Sequence, residues 1–223
     1  MPTYKLNYFS LTALGEPIRT SFVLAGIPLE DEPLEWDAWC ELKAKCPPGT
    51  GMPVLHMTEG ETTQMMFQSR AILRYIGTIG SYDGCKLYPD DPMARYYCDL
   101  VIEMMEDIRG TMTPSFSMEP ADRDAMRADL VKPDGKMYPH LSKLNEHLGK
   151  FPWSAGDKPS IADAYAVSLC FCYQQPTVFD GFPEDTFKDF PNITALKDKY
   201  CSLPPIKEYY KDAEGMRAPF KMA

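Results

Sequence analysis

The first part of the chain alternates between short apolar runs and amphipathic stretches. Residues 4–9 alternate along the chain and are rich in aromatic and apolar side chains, which is typical of a buried strand. A helix is predicted from Gly15 to Gly26, because Pro17 suits a first turn and Gly26 suits a C-terminal stop. The pattern further predicts a short polar strand at 29–35, a looser helix at 36–46, strands at 54–57 and 63–67, and a helix at 69–79 with Ser69 as its N-cap.

The pattern changes after residue 92. Residues 80–92 are rich in Gly, Asp and Pro, which indicates a connecting segment. Beyond it the strand pattern stops, and helices are predicted at 93–112, 120–130, 137–148, 160–173, 193–202 and 204–212. The fold class is therefore α/β followed by all-α. The β-α-β-α-β-β-α order of a thioredoxin-like module occupies 1–81, a linker 82–92 and an all-helical domain 93–223.

Composition and charge restrict the possible partners. The chain has 223 residues, of which 44% are hydrophobic and 25% charged, so it can bury a substantial core without disulfides or metals. The 23 basic residues against 32 acidic ones give a net charge of −9, which disfavours nucleic acid as a partner. No apolar run reaches the about 18 residues of a membrane span, and no apolar signal core follows Met1. We expect neither nucleic acid nor a membrane as a partner.

The cysteines and histidines form no recognisable metal or redox motif. The seven cysteines are an odd number and contain no C-x-x-C pair. The histidines, His56, His140 and His147, do not cluster with the cysteines at the spacing of a zinc site. We therefore predict no metal site and a reduced protein in the cytoplasm.

Four short stretches, taken together and in order, resemble those of a known family. They are YKLNYF at 4–9, GMPVL at 51–55, QSRAI at 68–72 and SIAD at 160–163. The sequence resembles the cytosolic glutathione S-transferases over essentially the whole chain, and its start is similar to the tyrosine-type classes, with the sigma class closest. The resemblance implies the glutathione transferase fold, glutathione as the co-substrate and a homodimer.

Tyr8 is the catalytic residue that the resemblance implies. A thiol with a pKa near 8.5 is only about 3% ionised at pH 7, and lowering that pKa by about 2 units requires about 2.7 kcal/mol. A hydrogen bond to a charged acceptor contributes about 1.5–3 kcal/mol, so one phenol hydroxyl has the required strength. Without the resemblance, Tyr8 would be interpreted as an ordinary strand aromatic.

The resemblance assigns two further elements to glutathione. Met52 offers its backbone groups to the cysteinyl part, and Pro53 after it is expected to be cis. Gly51 departs from the family, in which a glutamine often stands at this position. Gln68 and Ser69 precede a helix whose N-terminus suits the γ-glutamyl carboxylate.

The glycine end of glutathione is assigned to the second predicted helix. Trp39 and Lys43 lie four residues apart and therefore share a face if residues 36–46 are helical. Lys43 is expected to pair with the glycine carboxylate, and Lys45 is the alternative cation. Leu14 stands where some classes have a polar contact, so it can contribute only packing to the glutathione site.

Two acidic positions in the C-terminal half receive different interpretations. Asp107 matches the position from which an acidic residue reaches glutathione in the neighbouring subunit, with Glu103 and Asp99 as alternatives. Ser160 and Asp163 have the spacing of a capping box, so they are predicted to start the central helix and to take no part in catalysis.

The resemblance places the electrophile site between the two domains. Methionines give an adaptable apolar wall, although helix-bundle core is the alternative for at least half of the 14 methionines. The predicted lining residues are Leu11, Leu14, Met104, Met105, Met112, Phe116 and Phe220.

Three functions remain open at the level of sequence. The first is conjugation of the glutathione thiolate to a hydrophobic electrophile. The second is a glutathione-dependent isomerase, similar to prostaglandin D synthases of the sigma type. The third is a non-catalytic relative similar to the lens crystallins, which Gly51 and Leu14 keep open because both weaken the expected glutathione site.

Overall fold

The N-terminal half is built on a four-stranded sheet in this computed structural model, which describes residues 1–174 and 179–222. The strands are β1 (Thr3–Tyr8), β2 (Glu30–Pro33), β3 (Val54–Glu59) and β4 (Thr62–Met66). Their order is β2-β1-β3-β4, with β1 parallel to β2 and the other two pairs antiparallel.

Three helices complete this half: α1 (Glu16–Ala25), α2 (Trp36–Lys43) and α3 (Ser69–Ile79). The alternation predicted for the first strand places Tyr4, Leu6 and Tyr8 in one buried cluster. Residues of α1 and α3 pack on the same side of the sheet, including Phe22 and Ile72, which are fully buried. The catalytic candidate Tyr8 therefore stands at the end of a strand in a well-packed core.

The C-terminal half is helical. Its helices are α4 (Pro92–Met112), α5 (Pro120–Leu130), α6 (Tyr138–Leu148), α7 (Ile161–Cys172), α8 (Pro191–Cys201) and α9 (Pro204–Tyr210), with 3-10 segments at Thr113–Ser117 and Gly215–Phe220. All 12 residues of α7 are buried, so this helix forms the centre of the bundle. The predicted fold class is confirmed. Among the described residues, no helix combines the length and the apolar character needed to cross a bilayer.

The connecting segment has more structure than the sequence predicted. Its residues form a hairpin of β5 (Ser81–Tyr82) and β6 (Cys85–Lys86) around the turn at Asp83 and Gly84, both of which have positive φ. An Asp-Gly pair is a typical hairpin turn, and the sequence interpretation missed it. The Leu87 carbonyl then accepts a hydrogen bond from the amide of Ile161, the first residue of α7, at 2.9 Å. The connection is thus fixed to the C-terminal bundle.

The two halves meet along α1. This helix packs against α3 within its own half and against α7 and α9 of the bundle. The loop between β1 and α1 contributes Leu11 and Leu14 to both hydrophobic clusters. The segment that follows Tyr8 therefore lies at the junction of the two halves.

Candidate active site

Tyr8 presents a buried hydroxyl at the end of β1. The Tyr8 side chain is only 6% exposed, and its hydroxyl oxygen accepts a hydrogen bond from the Leu14 amide at 3.3 Å. Burial raises the pKa of Tyr8 to about 12, and the Leu14 amide opposes that shift only in part. The phenol is therefore neutral near pH 7 and retains its proton for donation.

The loop after β1 is fitted closely against the Tyr8 ring. A Cβ atom at Gly15 would overlap Cδ1 of Tyr8 and would lie 3.0 Å from Nη1 of Arg19. The Arg19 guanidinium lies 5.8 Å from the centre of the Tyr8 ring. Glycine is thus required at position 15 by this close approach, and the sequence interpretation, which used Gly15 only as a helix boundary, missed that role.

The segment before β3 contains the expected proline geometry. The Met52–Pro53 peptide bond is cis, as the resemblance implies. Pro53 is buried, Met52 is half-buried and Gly51 is exposed. A Cβ atom at Gly51 would have no neighbour within 4 Å. The space around Gly51 is therefore open to a larger side chain such as the glutamine often found in the family.

The start of α3 differs from the prediction. Ser69 was expected to be the N-cap, but it is the first helical residue, and the N-cap position belongs to Gln68. The reason is the backbone at Gln68, which has φ 69° and ψ 104° and turns the chain one residue earlier. No side-chain hydrogen bond caps this end of α3. Its first amide groups consequently remain available to an anion.

Helix α2 places its aromatic and basic side chains together. Trp39 is 4% exposed, and the Lys43 ammonium lies 6.0 Å from the Trp39 ring centre, which confirms that the two share a face. The helix ends at Lys43, so Lys45 lies beyond it. Both lysines are exposed, and neither forms an ion pair with any residue that the structure describes. Of the two, Lys43 is the one that lies beside the Trp39 ring.

The acidic positions of α4 are engaged to different extents. Asp99 accepts a hydrogen bond from Arg74 at 2.8 Å, and Glu103 accepts one from Arg70 at 2.8 Å. Asp107, one turn beyond Glu103, is exposed and has no ion-pair partner within residues 1–174 and 179–222. The two alternatives are thus paired with arginines of the same chain, and Glu103 is exposed as Asp107 is. What distinguishes Asp107 from both is the lack of an ion-pair partner among the described residues.

The predicted electrophile pocket is only partly open in this structure. Met105, Met112 and Phe220 are at most 1% exposed, because they pack in the core of the bundle. Met104 is also buried, at 6%, whereas Phe116 is 58% exposed. Leu11 and Leu14 are half-buried beside the same core. The two loop leucines and Phe116 are therefore the predicted lining residues that solvent reaches.

A polar group beside this core escaped the sequence interpretation. Glu106 accepts hydrogen bonds from Arg109 at 2.6 Å and from the Tyr165 hydroxyl at 2.5 Å. Burial alone would raise the pKa of Glu106, but these two donors outweigh it and lower the pKa. Arg109 is close enough to Tyr8 for its charge to favour the ionised phenol. The three-residue spacing of Glu106 and Arg109 was visible in the sequence as a helical ion pair.

The cysteines are unpaired, and four of the seven are buried. Burial raises the pKa of the Cys98 thiol to about 12 and that of the Cys172 thiol well above its usual value. These thiols are therefore neutral near pH 7 and are not nucleophilic. In the part of the chain that the structure describes, no group of three or more His, Cys, Asp or Glu side chains is placed to hold a metal ion.

Comparison with known proteins identifies the family. A profile of the glutathione S-transferase C-terminal domain matches residues 106–213. The chain is also 32% identical to glutathione S-transferase 1 of Ascaris suum, over 99% of this chain and 100% of that protein. The chain belongs to the glutathione S-transferase family.

Two further relatives of this chain carry a more specific name. Hematopoietic prostaglandin D synthase of Homo sapiens is 27% identical, over 95% of this chain and 96% of that protein. The solved structure of prostaglandin synthase D of Nilaparvata lugens is 28% identical and has a TM-score of 0.78, covering 95% of this chain and 99% of that one. The likeness extends over both halves of the fold.

Proposed function

We propose that this protein is a tyrosine-type, sigma-like glutathione transferase that conjugates glutathione to hydrophobic electrophiles. The observation that carries the proposal is the buried, protonated hydroxyl of Tyr8, fixed by the Leu14 amide. Its place at the end of β1, which pairs with β3 directly after the cis Met52–Pro53 bond, agrees with the family membership. Residues 1–81 would form the glutathione-binding domain and residues 93–223 the electrophile domain.

The phenol acts as a donor and not as a base. Because burial raises the pKa of Tyr8 to about 12, the hydroxyl keeps its proton and donates a hydrogen bond to the glutathione sulfur. This bond is stronger to the thiolate than to the thiol, so it lowers the pKa of the thiol, whose proton leaves to solvent. The thiolate then attacks the electrophile, and holding both reactants together supplies the remaining rate increase.

Three further elements of the N-terminal half would hold glutathione together with Tyr8. The backbone of Met52 would receive the cysteinyl part, and the amide groups at Gln68 and Ser69 would receive the γ-glutamyl carboxylate. The lack of a side-chain cap on α3 supports this role, because the helix dipole favours an anion there. Trp39 and the exposed Lys43 would receive the glycine end.

A homodimer in the cytoplasm is part of the proposal. Asp107 is exposed on α4 and has no ion-pair partner among the described residues, so it is free to reach the glutathione amine in a neighbouring subunit. The seven unpaired cysteines agree with a reducing compartment. Replacing Asp107 with Asn is expected to weaken glutathione binding only where a dimer forms.

The second candidate function is a glutathione-dependent isomerase. It is favoured by the prostaglandin D synthases among the relatives, which match over nearly the whole chain. The same Tyr8-activated thiolate would serve, but glutathione would be regenerated at the end of each turnover. Assaying a prostaglandin-type endoperoxide and an aryl halide side by side separates the two functions, since only the aryl halide consumes glutathione.

The decisive experiment measures the ionisation of bound glutathione. Ultraviolet difference spectra are recorded from pH 5 to 9 for the wild type, Tyr8→Phe and Tyr4→Phe. Tyr4 is the matched control, because it lies on the same strand, is also 6% exposed and directs its hydroxyl to Tyr75. We expect a thiol pKa about 2 units below that of free glutathione in the wild type and in Tyr4→Phe, and a rise of at least about 1 unit in Tyr8→Phe. Equal ionisation in all three would reject Tyr8, and failure of the wild type to bind glutathione would leave a non-catalytic role.

A further inference from the structure

A fully buried carboxylate lies near the candidate active site without a role in the proposed chemistry. Glu16, the first residue of α1, is 0% exposed. Its Oε2 accepts a hydrogen bond from Arg19 at 3.1 Å, and its Oε1 accepts hydrogen bonds from Arg217 at 3.0 Å and from the Tyr210 hydroxyl at 3.0 Å. A carboxylate removed from water needs such partners. Two of them come from the last part of the chain.

Arg19 joins this carboxylate to the loop that follows Tyr8. Its Nη1 donates to the Leu11 carbonyl at 2.9 Å as well as to Glu16, and its Nη2 donates to the Phe9 carbonyl at 3.4 Å. Its Nε donates to Asp31 at 2.8 Å. The guanidinium, only 3% exposed, therefore ties the backbone of the loop to α1.

The same loop determines the position of the Tyr8 hydroxyl. Leu14 donates its amide to that hydroxyl, and Gly15 approaches the Tyr8 ring too closely for any side chain. A shift of the loop would therefore change the hydrogen bond at the Tyr8 oxygen. A continuous series of hydrogen bonds thus connects Arg217 through Glu16 and Arg19 to the loop.

The C-terminal segment holds Arg217 in place. Phe220, in the same 3-10 segment, is fully buried and stacks on Tyr210 with ring centres 5.0 Å apart and an interplanar angle of 18°. The charges of the group balance: two arginines, Arg19 and Arg217, face two carboxylates, Glu16 and Asp31. Without Arg217, the group would keep only one cation, Arg19, to pair with the carboxylates of both Glu16 and Asp31.

We propose that Arg217 is a positioning residue for Tyr8, acting through Glu16, Arg19 and the loop from Phe9 to Gly15. The C-terminal segment then belongs to the catalytic apparatus, although it supplies no group to the reacting atoms. When Arg217 is removed, the uncompensated charge of Glu16 draws Arg19 away from the carbonyls of Phe9 and Leu11, and the Leu14 amide loses its alignment. The inference rests on the proposed role of Tyr8.

The test compares Arg217→Met with Arg217→Lys and with Arg95→Met. Arg95 is a matched control, because its side chain is 43% exposed against 36% for Arg217 and, like Arg217, it pairs with a carboxylate, here that of Asp90 at the start of α4. Two quantities are measured: the thiol pKa of bound glutathione, and the amide hydrogen exchange of residues 9–16.

In Arg217→Met we expect the thiol pKa to rise by about 0.5–1 unit, which lowers the thiolate fraction about twofold to sixfold at pH 6.5, while the KM for glutathione stays within about twofold. Exchange in the loop should become about tenfold faster, with no change in β3 and β4. Arg217→Lys should recover most of both effects, and Arg95→Met should show neither.

An unchanged thiol pKa in Arg217→Met, with loss of thermal stability alone, would overturn the proposal and leave Arg217 a purely structural role. Unchanged amide hydrogen exchange of residues 9–16 in Arg217→Met would overturn the proposal as well. If the wild type binds glutathione without lowering its thiol pKa, the proposed role of Tyr8 fails instead, and the exchange measurement still decides whether Arg217 orders the loop.

Discussion

Helices α3 and α7 both begin beside a serine, yet the two starts are built differently. At α7 the Ser160 hydroxyl accepts a hydrogen bond from the Ala162 amide, and Asp163 accepts one from the Ser160 amide at 2.7 Å. At α3 no side chain caps the helix, and Gln68 at its N-cap position has φ 69°. Side chains of the chain itself bind the first backbone amides of α7, whereas no N-cap side chain binds those of α3.

The difference follows from what surrounds each start. Ser160 and Asp163 are at most 1% exposed, so the amides of α7 have no access to water and need partners within the chain. Gln68 is exposed and Ser69 is half-buried, so the amides of α3 can bind water or a ligand. Several other helices of the chain also lack a side-chain cap, so the uncapped start alone does not distinguish α3. What distinguishes it is the non-glycine residue at positive φ beside those amides, a combination that agrees with a binding site.

The largest effect is expected from Asp163→Ala. Its carboxylate accepts the amides of Ser154 at 2.8 Å and Ser160 at 2.7 Å, and both would become unsatisfied in the core. At about 1–3 kcal/mol for each amide, the free energy of unfolding should fall by about 2–6 kcal/mol. Urea unfolding measures this, with the exposed Asp157→Ala as the control. Equal losses in the two variants would mean that the α7 cap is not structural.

Ser160→Ala tests the other half of the same cap. The hydroxyl accepts a hydrogen bond from the Ala162 amide at 3.2 Å and donates one to the Asp163 carboxylate at 2.9 Å. We expect the unfolding free energy to fall by about 0.5–2 kcal/mol, with glutathione affinity unchanged in the folded protein. Unfolding by urea and calorimetric titration give the two values. A weaker affinity with full stability would contradict the division between the two starts.

Ser69→Ala should give the opposite pattern. Since the hydroxyl caps nothing and alanine is a better helix former, stability should change by less than about 0.5 kcal/mol. The lost hydrogen bond to the γ-glutamyl carboxylate should weaken glutathione binding by about fivefold, or about 1 kcal/mol. Calorimetric titration with glutathione measures it. If Ser69→Ala costs as much stability as Ser160→Ala, Ser69 is a structural residue after all.

The sequence was sufficient for features that depend on neighbouring residues. The Ser160–Asp163 box, the helices at 69–79 and 120–130, and the shared face of Trp39 and Lys43 all follow from local spacing, and the structure confirms them. The helix predicted at 36–46 ends earlier, at Lys43. The rule that a serine before an apolar helical run is the N-cap failed at Ser69. The sequence does not show that the preceding residue, Gln68, takes a positive φ and becomes the N-cap instead.

Features built from distant residues could not be predicted. The hydrogen bond between Glu16 and Arg217 joins residues 201 positions apart, and neither residue has a marked local pattern. Burial of Met105 and Met112 likewise depends on how α4 packs against its neighbours, so periodicity alone does not separate pocket from core. The resemblance supplied residue roles at the site but not the contacts behind them.

Gln68→Gly gives the smallest effect and the sharpest test of the open start. Glycine adopts positive φ freely, so relief at φ 69° should outweigh its greater freedom in the unfolded chain and raise stability by about 0.5 kcal/mol. Gln64→Gly, at an exposed position inside β4, is the control and should lose about 0.5–1 kcal/mol, because glycine weakens a regular strand. Loss of the side-chain amide of Gln68 should at the same time weaken glutathione binding. Urea unfolding measures the expected gain in stability, and calorimetric titration of the same samples with glutathione measures the expected loss of affinity. If Gln68→Gly is destabilised as much as Gln64→Gly, the start of α3 stores no strain, and its open amides alone must account for any binding of the carboxylate.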